Sequence, residues 1–561
     1  MLRSVGSRTQ SFSRQAYLRR ASTTALERDV VIVGGGPAGL ALAGALASTK
    51  LARDALKVTL IEASDLAQIN DWNPAPGTYS NRVSSITNSS QTFLQKIGAW
   101  QHVEDTRTRQ IDEMQVWDGI SDARIRFSVE DVPLQSSSQI ARLTENLNLQ
   151  RGLLRHLAQY PELELASNVK VQSIVKEERQ GGGWPLIHLS DGRVLRARLL
   201  VGADGFNSPV RAYANINSYG WAYDTHGIVA TLFHAPRNLL HGPNTVAYQR
   251  FLPTGPIAFL PLSETASSLV WSTTPELAAV LKTLDPNVFV GMINAAFRLP
   301  EVSIRYLHDE ILAAQANGSP LTPTKFLEEL RFRERSHRID AKSALFSGDA
   351  GGPTGIPPDG AHLLPPLVSA VQHGTVASFP LRFSHADTYI GEGNGARTVL
   401  VGDAAHTIHP LAGQGLNLGL ADVECLAECI TNAVRLGGDV GAHTALQPYA
   451  RNRYFENHKT LSACDKLHKL YSSTSEPIVW ARSAGLEVLN ELDTIKGALM
   501  MAAGTVKEHY GTGQVGWELT AKAVEGLARN MDNARMLGNS VSGMAGSTVR
   551  QLLQGLTRGG P

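Results

Sequence analysis

The chain has 561 residues, 43% of them hydrophobic and 18% charged, so it can bury a substantial core and is long enough for more than one domain. Its 52 Lys and Arg residues almost equal its 51 Asp and Glu residues, a balance that gives no electrostatic footprint for nucleic acid. The three cysteines form no CxxC pair, which argues against a disulfide framework or a Cys-based zinc site and favours a reducing compartment.

Residues 1–25 have the composition of an organelle transit peptide. They are rich in arginine and in hydroxyl residues, and no acidic residue occurs before Glu27. We therefore expect a mitochondrial destination, with removal of the leader near residues 20–24. A basic tail without a targeting role is the alternative.

The run VVIVGGGPAGLALAGALAS, residues 30–48, is uncharged and almost long enough to cross a bilayer, but three glycines and a proline interrupt its centre. It predicts a buried strand, a tight turn and a buried helix. In the GxGxxG pattern, Gly34 permits the turn, Gly36 lets the backbone approach a pyrophosphate, and Gly39 lets the helix pack on the strand. The following KVTLIEAS predicts a second strand ending in Glu62, where an acid can bind ribose hydroxyls. Together these features predict a dinucleotide site.

Two later stretches bear on the same site. ARLLVGADGFNSPVR, residues 197–211, is an apolar strand that ends in an Asp-Gly turn at Asp204 and Gly205, and alone it indicates nothing more. In GDAAHTIHP, residues 402–410, one acid and two histidines stand at three-residue intervals, as in zinc or non-haem iron sites. The proline and glycines that follow interrupt any helix that could align these ligands, and no further ligand set flanks them. We therefore interpret His406 and His409 as hydrogen-bonding loop residues and predict no metal.

In this order and at these distances, the three stretches resemble the flavoprotein aromatic hydroxylases, single-component monooxygenases that bind FAD. The resemblance implies an α/β fold in which a Rossmann-like FAD-binding domain is interleaved with a β-sheet substrate domain and followed by C-terminal helices. It implies the following division: a transit peptide (1–25), the first part of the FAD-binding domain (26–210), a substrate domain with a Gly/Pro-rich insert near 340–366 (211–390), the second part of the FAD-binding domain (391–440), and a C-terminal helical region and tail (441–561).

The resemblance also implies which residues lie at the cofactor. The first motif would hold the ADP part, Asp403 would accept from a ribityl hydroxyl, and the helix starting near Leu416 would direct its N-terminus at the isoalloxazine. The implied cofactor-binding residues are Gly34, Gly36, Pro37, Ala38, Gly39, Glu62, Arg82, Asn146, Asp204, Gly205, Gly402, Asp403, Pro410, Gly413, Gln414, Gly415, Leu416 and Asn417. No residue stands out as a catalytic acid or base.

Further stretches, among them NRVSSITNSSQTFLQKIGAW and RFLPTGPIAFLPL, are similar to the ubiquinone-biosynthesis branch of this family. That likeness implies hydroxylation of a polyprenylated phenol at ring position C5 through a flavin C4a-hydroperoxide. It also implies peripheral association with the matrix side of the mitochondrial inner membrane. The implied partners are O2, an electron donor (ferredoxin with its reductase, or NAD(P)H) and other coenzyme Q biosynthesis proteins. A hydroxylase of another aromatic substrate, a flavin-binding scaffold with little turnover and a flavin dehydrogenase remain alternatives.

Some stretches lie outside the closest likeness. We expect part of the floor under the substrate ring in residues 245–262, which alternate and are rich in aromatic residues and Pro. Residues 275–372 have no close match, and their Gly/Pro-rich part predicts a loop. RFRERSHR, residues 331–338, is a candidate basic surface for an acidic electron carrier or simply a solvated face. The tail beyond residue 511 also lies outside the match.

Overall fold

The computed structural model describes residues 25–131, 139–179, 183–237, 242–319, 321–347, 358, 360–410, 413–492 and 496. The strands are β1 (Leu26–Val33), β2 (Val58–Ile61), β3 (Val83–Thr87), β4 (Thr108–Ile111), β5 (Glu113–Asp118), β6 (Arg124–Ser128), β7 (Ala141–Glu145), β8 (Glu164–Ala166), β9 (Val171–Lys176), β10 (Pro185–Leu189), β11 (Val194–Gly202), β12 (Ser218–His234), β13 (Val246–Leu252), β14 (Gly255–Pro261), β15 (Ala266–Thr273), β16 (Val368–Val371), β17 (Ala377–Ala386), β18 (Thr398–Leu400) and β19 (His406–Thr407). The helices are α1 (Pro37–Ser48), α2 (Lys50–Ala55), α3 (Leu66–Asn70), α4 (Asn88–Lys96), α5 (Asn146–Leu157), α6 (Pro209–Tyr213), α7 (Pro275–Leu281), α8 (Pro286–Arg298), α9 (Glu301–Ala316), α10 (Pro323–Ser336), α11 (Gly415–Arg435), α12 (His443–Tyr471) and α13 (Glu476–Asn490).

The first sheet brings together strands that are far apart in sequence. Its order is β8-β2-β1-β11-β10-β9, and β18 pairs with β11. The pairs β1–β2, β1–β11 and β11–β18 are parallel, and Val33 lies opposite both Ile61 and Gly202, while Gly202 lies opposite Leu400. The carboxyl ends of these strands therefore meet at one edge, which is where open α/β sheets bind ligands.

The second sheet is larger and mostly antiparallel. Its order is β19-β17-β12-β15-β14-β13-β5-β6, with β16 pairing with β12, and α7 to α10 cover one of its faces. A third sheet, β3-β7-β4, contacts the other face near β13 and β14. The α/β fold class predicted from sequence is confirmed. In the division of the chain that we continue to propose, β5 and β6 come early in sequence but lie in the second sheet.

The C-terminal helices α12 and α13 contact the second sheet at β13 and β5. The ring of Tyr471 in α12 stacks on Phe251 with centroids 4.0 Å apart. The Arg482 guanidinium in α13 donates to both carboxylate oxygens of Asp118, over 2.7 and 2.9 Å, and both side chains are buried. Across the residues described above, no helix combines the length and apolar character needed to span a bilayer. The expected leader, the central part of the Gly/Pro-rich insert and the tail beyond residue 496 lie outside the described residues.

Candidate functional site

The first motif forms a tight turn between β1 and α1, and the surroundings explain two of its glycines. Gly34 has a φ of +114°, and a Cβ there would lie 2.2 Å from the carbonyl oxygen of Ala203. A Cβ on Gly39 would lie 1.9 Å from the carbonyl oxygen of Gly34. A Cβ on Gly36 would meet no protein atom within 4 Å. Gly34 and Gly39 are therefore required by the protein's own packing, whereas Gly36 borders open space.

The N-terminus of α1 faces that open space. Gly36 is its N-cap, Pro37 its first residue, and no side chain caps it. Its free N–H groups and its dipole favour an anion such as a pyrophosphate. Gln150 in α5 donates to the carbonyl oxygen of Gly35 over 3.2 Å and so holds the turn from the other side. Ala38 follows in the first turn of the helix and faces Gly402, as described below.

Glu62 lies at the end of β2, as the sequence predicted, and supports the same turn. Its Oε2 accepts from the N–H of Gly35 over 2.5 Å, and its Oε1 accepts from the N–H of Ser64 over 2.7 Å. Each oxygen keeps a further lone pair, so these bonds fix the carboxylate without exhausting its capacity to bind a hydroxyl. Its role at a ribose stays a prediction.

The second motif ends β11 beside the first. Oδ2 of Asp204 accepts from the N–H of Val210 over 3.1 Å, whereas its Oδ1 is buried and has no hydrogen-bond partner among the described residues. Burial raises the pKa of this carboxyl, although hydrogen bonds from Ser208 and Val210 oppose the shift. Gly205 has a φ of +80° and open space beside it. A buried acceptor without a partner next to open space is suited to a ligand hydroxyl.

Arg211 ties the second motif to the third. Its guanidinium donates to the carbonyl oxygen of Ala404 over 2.8 Å and to that of Phe206 over 2.5 Å. Phe206 lies two residues after Asp204, and Ala404 directly follows Asp403. The Arg211 side chain therefore fixes the spacing between the two acids.

The third motif begins with a turn against α1. Gly402 has a φ of +59°, and a Cβ there would lie 3.4 Å from the Cβ of Ala38 and 3.8 Å from the Cα of Gly419 in α11. These small residues let α1, α11 and the turn approach closely. Asp403 follows the turn. Its side chain is exposed, yet the surrounding protein raises its pKa by burial, with the charge of His406 acting in the opposite direction. An accessible carboxylate with much protein around it lines a cleft.

His406 and Asp422 form a buried pair behind this turn. His406 Nε2 lies 2.6 Å from Oδ2 of Asp422, and both side chains are buried. Oδ1 of Asp422 accepts from Arg453 Nε and from Asn457 Nδ2, each over 2.9 Å, and its Oδ2 also accepts from the N–H of Gly402 over 3.1 Å. Burial opposes ionisation of Asp422, but His406 and Arg453 outweigh it and lower the pKa to about 2.

His409 points away from both of these acids. It is buried, its ring lies 5.1 Å from that of Tyr223 and 4.7 Å from that of His468, and burial together with His468 lowers its pKa to about 3. The three side chains that suggested a metal site therefore lie in different surroundings. Asp403 lines a cleft, His406 pairs with Asp422, and His409 packs in an aromatic cluster. Within the residues described, no group of three His, Cys, Asp or Glu side chains could hold a metal ion.

The rest of the third motif leads into α11. Pro410 is half-buried, and Leu411 and Ala412 lie outside the described residues. Gly413 has a φ of +60°. Gln414 is the N-cap of α11, Gly415 and Leu416 open the helix, and no side chain caps it. Its first-turn N–H groups and dipole favour negative charge nearby, as reduced flavin carries.

Asn417 connects this helix to β3. Its Nδ2 donates to the carbonyl oxygens of Ser85 and Gly413 over 2.7 and 3.2 Å, and its Oδ1 accepts from the N–H of Thr87 over 3.0 Å. The amide is thus used by the protein, which indicates a positioning role for its side chain.

Arg82 and Asn146 lie together at the ends of β3 and β7. The N–H of Asn146 donates to the carbonyl oxygen of Arg82 over 3.0 Å, and Ser84 Oγ donates to Oδ1 of Asn146 over 2.7 Å. The Arg82 side chain is exposed. Arg82 directly precedes β3, and β3 carries Ser85, the partner of Asn417, so both predicted residues are brought to the side of the third motif.

Known proteins match the chain over nearly its whole described length. The FAD binding domain family matches residues 27–280 and 370–454. Ubiquinone biosynthesis monooxygenase COQ6, mitochondrial, of Schizosaccharomyces pombe is 37% identical over 503 residues, which is 88% of this chain and 94% of the relative. The proteins of the same name from Saccharomyces cerevisiae and Homo sapiens are 36% and 35% identical, each over 85% of this chain and over 93% and 92% of their own length.

The chain belongs to the COQ6 family of ubiquinone biosynthesis monooxygenases. The cofactor of the matched domain is FAD. Four features of the site fit that dinucleotide. They are the open space at Gly36, the buried Oδ1 of Asp204 without a partner among the described residues, the accessible Asp403 and the two helix N-termini without side-chain caps. The family resemblance and the FAD cofactor inferred from sequence are therefore confirmed.

Solved structures of other flavoproteins share the fold of this COQ6 family member. p-Nitrophenol 4-monooxygenase PnpA from Pseudomonas putida has a TM-score of 0.57 at 16% identity, over 86% of this chain and all of its own. PqsL from P. aeruginosa, in complex with 2-aminobenzoylacetate, has a TM-score of 0.55 at 21% identity, over 82% and 99%. At these identities the likeness concerns the fold alone.

Sequence reasoning missed the residues behind the COQ6-family site. Asp422, Arg453, Asn457 and Gln150 were not singled out, although they hold the two turns. One signal was present: Asp422 is an acid inside the otherwise apolar run LGLADV, and a fully buried acid needs partners. The partner residues lie on α5 and α12, and no local sequence pattern predicts where these two helices pack.

Proposed function

We propose that the chain is an FAD-dependent monooxygenase that hydroxylates the aromatic ring, at C5, of a polyprenylated phenol in ubiquinone biosynthesis. The observation that carries the proposal is the match to mitochondrial ubiquinone biosynthesis monooxygenases, which spans 85–88% of the chain in the relatives named above. The three motifs at one sheet edge support it, since all of them fall within the matched FAD domain.

In this proposal, FAD lies across the carboxyl edge of the first sheet. The turn of Gly34 to Gly39 and the N-terminus of α1 hold its diphosphate, and Glu62 holds its ribose. Asp204, Gly205 and Asp403 face the linking hydroxyls. Bound FAD supplies the activation of O2 and the transfer of one oxygen atom to the ring.

The residues around the isoalloxazine position it. Pro410, Gly413 and Gln414 would lie beside the ring system, with Gly415, Leu416 and Asn417 directing helix N–H groups at its electron-rich end. Arg82 and Asn146 close the site from β3 and β7. The Asp422 network keeps the Gly402 turn rigid, so that Asp403 does not need to reorganise when the cofactor binds.

The substrate ring would lie between the flavin and the second sheet. The half-buried side chains of Ala258, Leu260 and Val270 share the sheet face that lies away from α8, and Ala258 lies opposite both Gln249 and Val270. These residues include part of the stretch predicted as a floor. Small apolar side chains favour an aromatic ring and exclude water from the reaction. Gln249, Ser268 and Thr231 supply polar groups on this face that could hold a phenol oxygen.

The finer features of the setting are also proposals. The substrate is a phenol, the second substrate is O2, and a partner must reduce the flavin. We propose ferredoxin with its reductase, or NAD(P)H, as that donor, and other coenzyme Q biosynthesis proteins as partners. The relatives are named as mitochondrial. We propose the matrix side of the inner membrane, with peripheral attachment.

Mass spectrometry of quinone lipids tests the function in cells whose only copy carries Asp403→Ala, with protein level checked. The exposed Asp54→Ala, in α2, is the matched control. We expect a prenylated intermediate one ring oxygen short to accumulate with Asp403→Ala alone. Normal ubiquinone would direct attention to another aromatic substrate. Loss of all late intermediates without that one would indicate a scaffold.

A further inference from the structure

The helices α8, α9 and α10 form a layer that lies between the two segments matched by the FAD binding domain family. The family matches up to residue 280 and again from residue 370, so all three helices fall in the gap. These helices are well packed. Phe289, Ile304 and Phe326 belong to the same hydrophobic core as Trp271 of the second sheet. Packing on the second sheet thus accounts for the apolar residues on their inner faces, but not for those on their outer faces.

The outer face of α9 and α10 exposes apolar and aromatic side chains. Val302 is 53% exposed, Tyr306 37% and Phe332 52%. The guanidinium of Arg333 lies 3.6 Å from the ring centroid of Tyr306 and 5.2 Å from that of Phe332, so the two rings form one surface. His337 lies 2.7 Å from Ser303 Oγ and fixes the end of α10 beside Val302. Contiguous exposed apolar side chains mark interaction sites more often than isolated ones do.

Exposed arginines neighbour Phe332 on α10: Arg331 directly precedes it, and Arg335 follows almost one turn later. Arg331, Arg335 and Arg338 are exposed, and among the described residues none of them has a carboxylate within 4.0 Å. The single acid within this run, Glu334, is buried, and its Oε1 accepts from the N–H of Ser347 over 2.7 Å. Within residues 331–338 the positive charge therefore stays on the surface while the acid is directed inward; just before this run, Glu328 is exposed and Glu329 lies 3.5 Å from Arg333.

We propose that this surface, formed by Val302, Tyr306, Phe332, Arg331, Arg333 and Arg335, docks on an anionic phospholipid bilayer. Helices that lie in a membrane interface combine basic side chains with exposed Phe, Leu or Trp, and each basic residue near an anionic surface contributes attraction. Arginine stems and aromatic rings enter the headgroup region while the charges meet the phosphates. The proposal rests on the peripheral attachment proposed above and identifies the surface responsible for it.

Vesicle co-sedimentation of the full-length, FAD-loaded protein tests the docking surface. The probes are vesicles of phosphatidylcholine alone and of phosphatidylcholine with cardiolipin. We expect tighter binding to the cardiolipin vesicles and a decline with added salt. Arg331→Gln with Arg335→Gln should weaken that binding about 25-fold, at about fivefold for each arginine, and Phe332→Ser about tenfold.

Two substitutions on α12 provide matched controls. Phe455 is 62% exposed and Arg451 is exposed, so Phe455→Ser and Arg451→Gln remove the same groups elsewhere. Both should bind vesicles as the wild type does, and flavin absorbance should be unchanged in all variants. Equal binding by the wild type and the double arginine variant would overturn the proposal. So would unchanged vesicle binding combined with loss of association with an acidic protein, which would make the surface a protein interface. Since vesicle binding requires no turnover, its failure would leave the proposed hydroxylation untouched.

Discussion

The backbone N–H of Gly402 donates to Oδ2 of Asp422 over 3.1 Å, so a carboxylate buried inside α11 fixes the turn that precedes Asp403. Arg453 and Asn457 of α12 hold the other oxygen of the same carboxylate. The proposed flavin site therefore depends on α12, whose Arg453 and Asn457 hold the turn through Asp422.

Asp422→Asn should destabilise the protein by about 3–5 kcal/mol, because it leaves Arg453, whose side chain is only 13% exposed, without its counter-charge. The FAD content of the purified protein should fall as well. Thermal unfolding and flavin absorbance measure the two effects. An exposed substitution, Asp54→Asn, should change neither. A variant of Asp422 with wild-type stability would show that the network is dispensable.

The stability that Asp422 provides should depend on pH in a defined direction. Its pKa is lowered from 3.8 to about 2 in the folded protein, so folding favours the ionised form. The stabilisation is complete above the unfolded pKa and is lost as the pH falls through the folded one. The difference in free energy of unfolding between wild type and Asp422→Asn should thus narrow between about pH 4 and pH 2, as urea unfolding at several pH values can measure. A constant difference would contradict the ion pair.

The glycines of the first motif should separate folding from cofactor binding. Gly39→Ala should unfold or strongly destabilise the protein, because its Cβ would lie 1.9 Å from the carbonyl oxygen of Gly34. Gly36→Ala should keep its melting temperature, since its Cβ meets no protein atom within 4 Å, but should lose FAD affinity by roughly tenfold or more. Calorimetry of the apoprotein and FAD titration distinguish the two. Wild-type affinity in Gly36→Ala would place the diphosphate elsewhere.

Asp403→Asn should weaken FAD binding with little effect on stability. The Asp403 side chain is exposed, so solvent screens its charge, and the free energy of unfolding of the apoprotein should change by no more than roughly 0.5 kcal/mol. The amide is a weaker acceptor than a carboxylate, so FAD should bind roughly tenfold more weakly. Apoprotein melting and equilibrium dialysis with FAD test both. Tighter FAD binding would exclude an acceptor role.

Asn417→Ala should loosen the junction of α11 with β3. It removes four hydrogen bonds and leaves the buried N–H of Thr87 without its acceptor, at a cost of about 2–4 kcal/mol. Asn417→Asp keeps that acceptor but turns a carboxylate oxygen toward the carbonyl oxygens of Ser85 and Gly413, so it should retain protection of the Thr87 amide without retaining full stability. Hydrogen exchange of the β3 amides reports the change locally. Equal protection in the two variants would indicate that the amide oxygen contributes little.

Local pattern predicted the parts of the site that depend on local geometry. The GxGxxG turn, the acid at the end of β2 and the Asp-Gly turn after β11 are each set by residues within one strand–turn unit, and the structure has them where the sequence put them. The helix starting near Leu416 begins at Gly415. His406 was interpreted as a hydrogen-bonding residue, and its bond to Asp422 confirms this.

The features that sequence did not predict depend on distant segments. The partner of His406 lies 16 residues further on, and that of Asp422 a further 31, so no periodicity links them. The stretch without a close match contains four packed helices, α7 to α10, because their apolar faces cover a sheet whose strands come from elsewhere in the chain. Likewise, β5 joins β13 in parallel register across more than a hundred residues.

The strand order of the first sheet determines how much of the chain must be synthesised before the cofactor site can form. Val33 pairs with Gly202, Gly202 pairs with Leu400, and the turn after β18 is held through Asp422 by Asn457. A ribosome must therefore have made most of the chain before these pieces can converge, and contacts of such separation form late in folding. The complete FAD site can thus form only after the chain has been made through Asn457. A premature stop before α12 leaves the glycine motif and its sheet partners without the residues that hold the Gly402 turn.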